Sequence, residues 1–260
     1  MRITNCKLQM ANGKLRADEV LFAGERLDDL RRGGLRIIQD PAAPCFALDA
    51  VLLADFARPR CGDVVAELGT GSGVIALLLA IKEPGCRIRA VELMPHMADM
   101  ARRSVALNGL SGRIEIIAGD MRQAAALLGK GSCRLVVSNP PYYAVSAGRQ
   151  NDGELFAAAR SELYCTIAEL AREAAALLCS LGEFCLIHRA SRLAEVLEAL
   201  SAAGLRPQTL RLVQPFAAKP ANLFLLKAVK GGKAETLLPP PLVIYESPGI
   251  YTKEMQDIYG

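Results

Sequence analysis

From residue 61 onward, short apolar runs alternate with longer segments of helical spacing. Val64-Val65-Ala66-Glu67-Leu68 has strand length, Gly69-Thr70-Gly71-Ser72-Gly73 follows it, and Val74 to Lys82 reads as a helix. Arg87 to Glu92 predicts a second strand. Pro95 suits the first turn of a helix that runs to about Asn108 and stops at Gly109. Ile114 to Ile117 and Leu135 to Ser138 predict two more strands around a short helix near Arg122 to Leu128. A long helix over about Ser161 to Leu178, a strand over Glu183 to His188, a helix over Arg192 to Ala203 and strands at Thr209 to Val213 and Leu223 to Val229 complete the series. Such βα alternation predicts an α/β fold. Its mostly parallel, seven-stranded, doubly wound (Rossmann-like) sheet would carry helices on both faces and right-handed connections. Residues 1–45 lack this rhythm and carry short alternating stretches around Gly13, Gly24, Gly33 and Gly34, which predicts a small β-rich extension before one domain over 46–260.

Composition narrows the class without naming it. Of 260 residues, 52% are hydrophobic and Trp is absent, so a large core of Leu, Val, Ile and Ala is expected. The net charge of +4 permits a polyanionic partner without demanding one. The apolar run Val74 to Ile81 is far shorter than the roughly 18–20 residues that span a bilayer, and the N-terminus has no apolar signal core, so a cytoplasmic protein with no membrane association is expected. Eight scattered cysteines with no CxxC pair, beside only His96 and His188, offer no metal-ligand spacing, so no metal is expected and the thiols read as reduced, mostly buried small hydrophobes. The pairs Arg31-Arg32 and Arg102-Arg103 and the lysines 227, 230 and 233 are the basic groupings, and Arg102-Arg103 reads as a solvated helix face.

In doubly wound folds, ligands sit at the carboxyl ends of the strands, where three marked sequences fall. Glycines 69, 71 and 73 let backbone approach a ligand closely, ahead of a helix N-terminus with unpaired N–H groups. Glu92 ends the second strand 21 residues after Gly71, the spacing at which a carboxylate accepts ribose hydroxyls. Asp120 follows Gly119 after the third strand; it can accept from an adenine amino group or merely cap the next helix. Glu67, inside the glycine stretch, would receive a pyrophosphate poorly and a cationic amino-acid end well. S-adenosylmethionine therefore fits better than NAD, with Glu67, Gly69, Thr70, Gly71 and Gly73 at its amino-acid end, Glu92 and Leu93 at the ribose, and Asp120 and Met121 at the adenine.

The fourth strand ends in Ser138-Asn139-Pro140-Pro141-Tyr142-Tyr143. A planar amino nitrogen is a poor nucleophile, because its lone pair is delocalised. The Asn139 side-chain oxygen and the Pro140 carbonyl can accept its two hydrogens and aim the lone pair at a methyl group, an effect of orientation rather than of basicity. Pro141 stiffens the loop, and Tyr142 offers a face for stacking, worth about 1–3 kcal/mol for a base. Tyr143 reads as packing.

This arrangement resembles the class I S-adenosylmethionine-dependent methyltransferases of the N-P-P-Y type, which modify exocyclic or amide nitrogens. Asn139, Pro140, Pro141 and Tyr142 match their motif, and Glu67 to Gly73 their glycine loop. Within that class, Pro44 to Ala57, Glu25 to Leu30, Val91 to Asn108 and Lys219 to Gly232 resemble the bacterial tRNA1(Val) adenine-37 N6-methyltransferase group and its uncharacterised relatives. The resemblance implies catalytic roles for Asn139 to Tyr142, a cofactor contact for Asn139, and an adenine of tRNA as substrate, with Arg149, Arg160, Arg31 and Arg32 as candidate RNA contacts. Where members of the group tend to carry Ala-Arg-His-Glu, this chain reads Ala159-Arg160-Ser161-Glu162, and Ser161 is expected to cap the long helix. The motif itself serves a glutamine amide of a release factor or a guanine N2 of ribosomal RNA as well. A non-catalytic RNA-binding module is the reading outside enzymes.

Overall fold

The computed structural model describes residues 20–42, 48–140, 165–233 and 235–259. Pro141, Tyr142, Tyr143, Arg149, Arg160 and Ser161 lie outside the described residues. A hairpin of β1 (Arg26–Asp29) and β2 (Arg36–Gln39) precedes α1 (Leu48–Phe56). Then come β3 (Val64–Leu68), α2 (Val74–Lys82), β4 (Arg87–Glu92), α3 (Pro95–Leu107), β5 (Ile114–Ala118), a 3-10 turn at Met121–Gln123, α4 (Ala124–Leu128) and β6 (Cys133–Ser138). The chain continues through α5 (Ile167–Leu177), β7 (Leu178–Arg189), α6 (Leu193–Ala202), β8 (Leu205–Phe216) and β9 (Leu223–Lys230). It ends with β10 (Leu242–Ser247), β11 (Ile250–Tyr251) and α7 (Lys253–Tyr259).

The large sheet has the order β11-β10-β8-β9-β7-β6-β3-β4-β5. Strands β3 to β7 are mutually parallel, and β9 runs antiparallel between β7 and β8. Among the described residues the sheet therefore has nine strands rather than the seven expected: β10 adds in parallel to the β8 edge, and β11 folds back on β10. Leu242 and Ile244 carry the reason, since both are buried in the core that α7 covers with Met255 and Ile258.

Two apolar layers flank the sheet. One holds α1, α2, α3 and α7; the other holds α4, α5 and α6. Every residue from Val74 to Ala80 is buried, so α2 is apolar all round, as a helix clamped between a sheet and another helix must be. The expected long helix begins six residues later than the sequence suggested. Thr166 and Glu169 form a reciprocal capping box, which satisfies the free N–H groups of the first turn and fixes the start of α5 at Ile167.

The hairpin packs into the body of the molecule. Leu35 and Ile37 join the core, Ile38 is buried against Met97 and Met100, and the Ile38 N–H donates to Ser104 Oγ at 3.0 Å. Arg103, expected on a solvated face, is only 7% exposed. Its guanidinium makes two 2.6 Å bonds to Glu25, pairs with Asp99 at 2.8 Å and lies 4.1 Å from the centre of the Phe22 ring. A charge buried this deeply requires such partners.

Candidate active site

Strands β3, β4, β5 and β6 end side by side. Glu67 pairs with Ala90 on one side and Val137 on the other, and Glu92 pairs with Ala118. The glycine turn is pinned to its neighbour, because the Gly69 and Thr70 N–H groups both donate to the Val91 carbonyl. Glycines 69, 71 and 73 have φ of 77°, 57° and 94°, a left-handed backbone that other residues adopt only with strain. A Cβ on Gly69 would stand 3.3 Å from Met121 Cε, so the turn also lies close over the 3-10 segment.

Glu92 is buried, and both of its oxygens are engaged: one accepts from the Gly71 N–H at 2.8 Å, the other from the Met94 N–H at 2.9 Å. This clamp fixes the carboxylate while each oxygen keeps a second lone pair for a hydroxyl. Leu93 lies half-buried between Glu92 and Met94. Of the two readings open to Asp120, the structure shows the cap. It caps the 3-10 turn through the Arg122 N–H at 2.9 Å and pairs with the Arg122 guanidinium at 2.6 Å, which lowers its pKa.

Glu67 is 1% exposed, and neither oxygen of its carboxyl finds a hydrogen-bond partner among the described residues. Nor does the buried Thr70 hydroxyl that faces it. Burial pushes the Glu67 pKa up to about 8, against weaker pulls from Thr70 and the Ala76 amide, and the Glu92 charge adds to the rise. A buried carboxyl with no hydrogen-bond partner among the described residues is costly and well suited to a cation.

At the end of β6, Ser138 Oγ donates to the Leu68 carbonyl at 2.8 Å, which ties the Asn139-Pro140 step to the strand that carries Glu67. Asn139 is half-buried and Pro140 buried. Pro140 and Met121 line a small pocket closed by Cys165, Thr166, His188 and Arg192. The sequence reading assigned no role to these last four, although His188 stands at the carboxyl end of a predicted strand, where ligands bind. A separate cavity of about 380 Å³ lies at the far end of α2, beside Arg32 and Lys82, away from the strand ends. Arg32 spends its guanidinium on the last carbonyls of α7, Asp257 and Ile258, whereas Arg31 is exposed.

The model of the methyltransferase small domain family matches residues 49–200. The chain belongs to that family. Several relatives extend the match. A tRNA1(Val) (adenine(37)-N6)-methyltransferase of Aeromonas hydrophila is 31% identical over 215 residues, 82% of this chain and 87% of that protein. Its namesake in Porphyromonas gingivalis is 36% identical over 101 residues, 36% of this chain and 40% of that one. A release factor glutamine methyltransferase of Chlorobaculum tepidum is 41% identical over 80 residues, 30% of this chain and 27% of that one. The latter two matches thus span less than half of each relative. The fold is also that of a predicted O-methyltransferase from Agrobacterium tumefaciens, at a TM-score of 0.66 and 24% identity over 81% of this chain and 95% of that one.

The cofactor of this methyltransferase small domain protein is S-adenosylmethionine. The residues present fit it: an unpartnered buried carboxyl at a glycine turn matches a cationic amino-acid end, and a clamped carboxylate one strand over matches a ribose.

Proposed function

We propose that this protein transfers a methyl group from S-adenosylmethionine to the exocyclic N6 of an adenine in RNA, and that the RNA is a tRNA. The observation that carries the reading is the placement of Asn139-Pro140, tied by Ser138 beside the strand that bears Glu67. S-adenosylmethionine supplies an electrophilic methyl group. Glu67, Thr70 and the glycine turn hold its amino-acid end, Glu92 and Leu93 its ribose, and Asp120 and Met121 its adenine. The Asn139 side-chain oxygen and the Pro140 carbonyl accept the two amino hydrogens of the target base and turn its lone pair toward the methyl. Orientation of this kind contributes several kcal/mol without a strong base, because N6 sheds its proton readily once methylated. Pro141 and Tyr142 continue the motif, with Tyr142 stacking on the base after it leaves its helix. Exposed Arg31, together with Arg149 and Arg160, supplies phosphate contacts.

The name of the Aeromonas relative, matched over most of both chains, supports tRNA, and with it a cytoplasmic site of action. Among the described residues no helix is long and apolar enough to cross a membrane. A glutamine amide asks the same two acceptors of Asn139 and Pro140, and the Chlorobaculum match keeps that substrate in view. Labelled S-adenosylmethionine and bulk tRNA from a strain lacking this gene, followed by nucleoside analysis, separate the two. N6-methyladenosine is the expected product. Unlabelled tRNA beside a labelled release factor would overturn the adenine reading.

A further inference from the structure

The cavity at the far end of α2 is large enough for a small molecule, at about 380 Å³, and its walls come from three elements. Val51 and Ala54 of α1 and Leu78 and Ile81 of α2 make it apolar on two sides. The turn of the hairpin closes a third at Gly33, where a Cβ would stand 3.0 Å from Ile81 Cδ1. Arg32, Asp55 and Lys82 complete the lining.

The three charges do not cancel. Lys82 Nζ donates to the Ala54 and Ala57 carbonyls, each at 2.9 Å, and to the Asp55 carbonyl. All three of its N–H groups are therefore used, and it gives the cavity charge alone. Burial first lowers its pKa to about 8; the Asp55 carboxylate, 3.9 Å away, opposes that shift, and the Arg58 and Arg32 charges add to it. Arg32 is less fully engaged. Its bonds to the Asp257 and Ile258 carbonyls of α7 both leave from Nη2. Its Nε is buried with no partner, and its Nη1 makes no hydrogen bond among the described residues. A guanidinium short of acceptors, with a second cation beside it and one carboxylate to offset the pair, is the complement of an anion. The apolar walls take an aliphatic body behind that anion.

We infer that this cavity is a binding site for a small amphipathic carboxylate, an acid whose head accepts from Arg32 Nη1 and whose aliphatic body lies along Val51, Ala54, Leu78 and Ile81. The site is separate from the strand ends and does not depend on the substrate proposed above. Helix α2 joins the two regions, with Gly73 of the glycine turn at its start and Lys82 at its end.

The test is a methyl NMR titration of the wild-type protein with octanoate, with S-adenosylmethionine saturating the strand-end site. Octanoate should bind with a Kd of about 1 mM or tighter and shift the methyl signals of Val51, Leu78 and Ile81. Affinity should rise about fourfold per methylene from butanoate to octanoate. Octylamine and 1-octanol, which keep the body and invert or remove the charge, should bind at least about 10-fold more weakly. Arg32→Gln should weaken octanoate by at least about 10-fold, and Ala54→Leu, which fills the cavity, should abolish the shifts. Octanoate and octylamine of equal affinity, or shifts that bypass these methyls, would overturn the inference in the wild type alone, whether or not either variant folds. Undiminished octanoate binding by a folded Arg32→Gln would overturn it as well.

Discussion

At pH 7 the Glu67 carboxyl, with a pKa near 8, is mostly protonated, yet in the proposed reading it receives the cationic amino-acid end of S-adenosylmethionine. Binding should therefore ionise it. Calorimetry in buffers of different ionisation enthalpy should find about one proton released per S-adenosylmethionine at pH 7, declining above pH 8, and Glu67→Gln should release none. The same group sets a stability slope. Its pKa is raised from 4.5, so its contribution is fully present below pH 4.5 and is lost as pH rises toward 8. His188 acts in the opposite sense, because its lowered pKa erodes stability only as pH falls from 6.5 toward 4. Between pH 6.5 and 8 the Glu67 effect thus stands clear of His188. The empty wild type should lose about 1 kcal/mol per pH unit relative to Glu67→Gln in urea melts, and parallel pH profiles would refute the assignment. Glu67 was legible in the sequence because it lies within the glycine run. Its isolation from partners was not, since that depends on what β4 and β6 bring alongside.

Among the elements, α5 and α3 show where sequence patterns stop being informative. Alanine and leucine spacing continues upstream of α5 and suits a helix from Ser161, but the capping box at Thr166 decides the boundary. The signature Thr166-x-x-Glu169 is present in the sequence and could have placed it. Thr166→Ala should cost about 1 kcal/mol of stability in urea unfolding. Arg103 had no comparable local signal. Its partner Glu25 is 78 residues away, and only the packing of the hairpin segment on α3 brings them together. Arg103→Met should destabilise the protein by about 3–5 kcal/mol by taking the cation away from the buried Glu25 carboxylate, which keeps the Phe22 N–H, and a second change, Glu25→Leu, should restore much of that loss. A surface-like effect below about 1 kcal/mol for Arg103→Met would contradict the buried pair.

For the molecule as a whole, βα alternation made the parallel sheet legible, and strand ends located the site. The tail after residue 230 escaped because its strand is short and follows three prolines, although Leu242-Val243-Ile244 has strand character. Its docking makes α7 part of the core rather than an appendage, so Met255→Ala should cost about 2–4 kcal/mol although only five residues follow it in the sequence. In the proposed reading the sheet gathers two kinds of work at one edge: the ends of β3, β4 and β5 hold the cofactor, and the end of β6 holds the base. That division is the central claim, and Asn139→Ala tests it most directly when S-adenosylmethionine affinity and the single-turnover methylation rate are measured side by side. The account predicts an affinity within a few-fold of wild type and a rate reduced by at least about 100-fold. A variant that still methylates RNA at near the wild-type rate would contradict it.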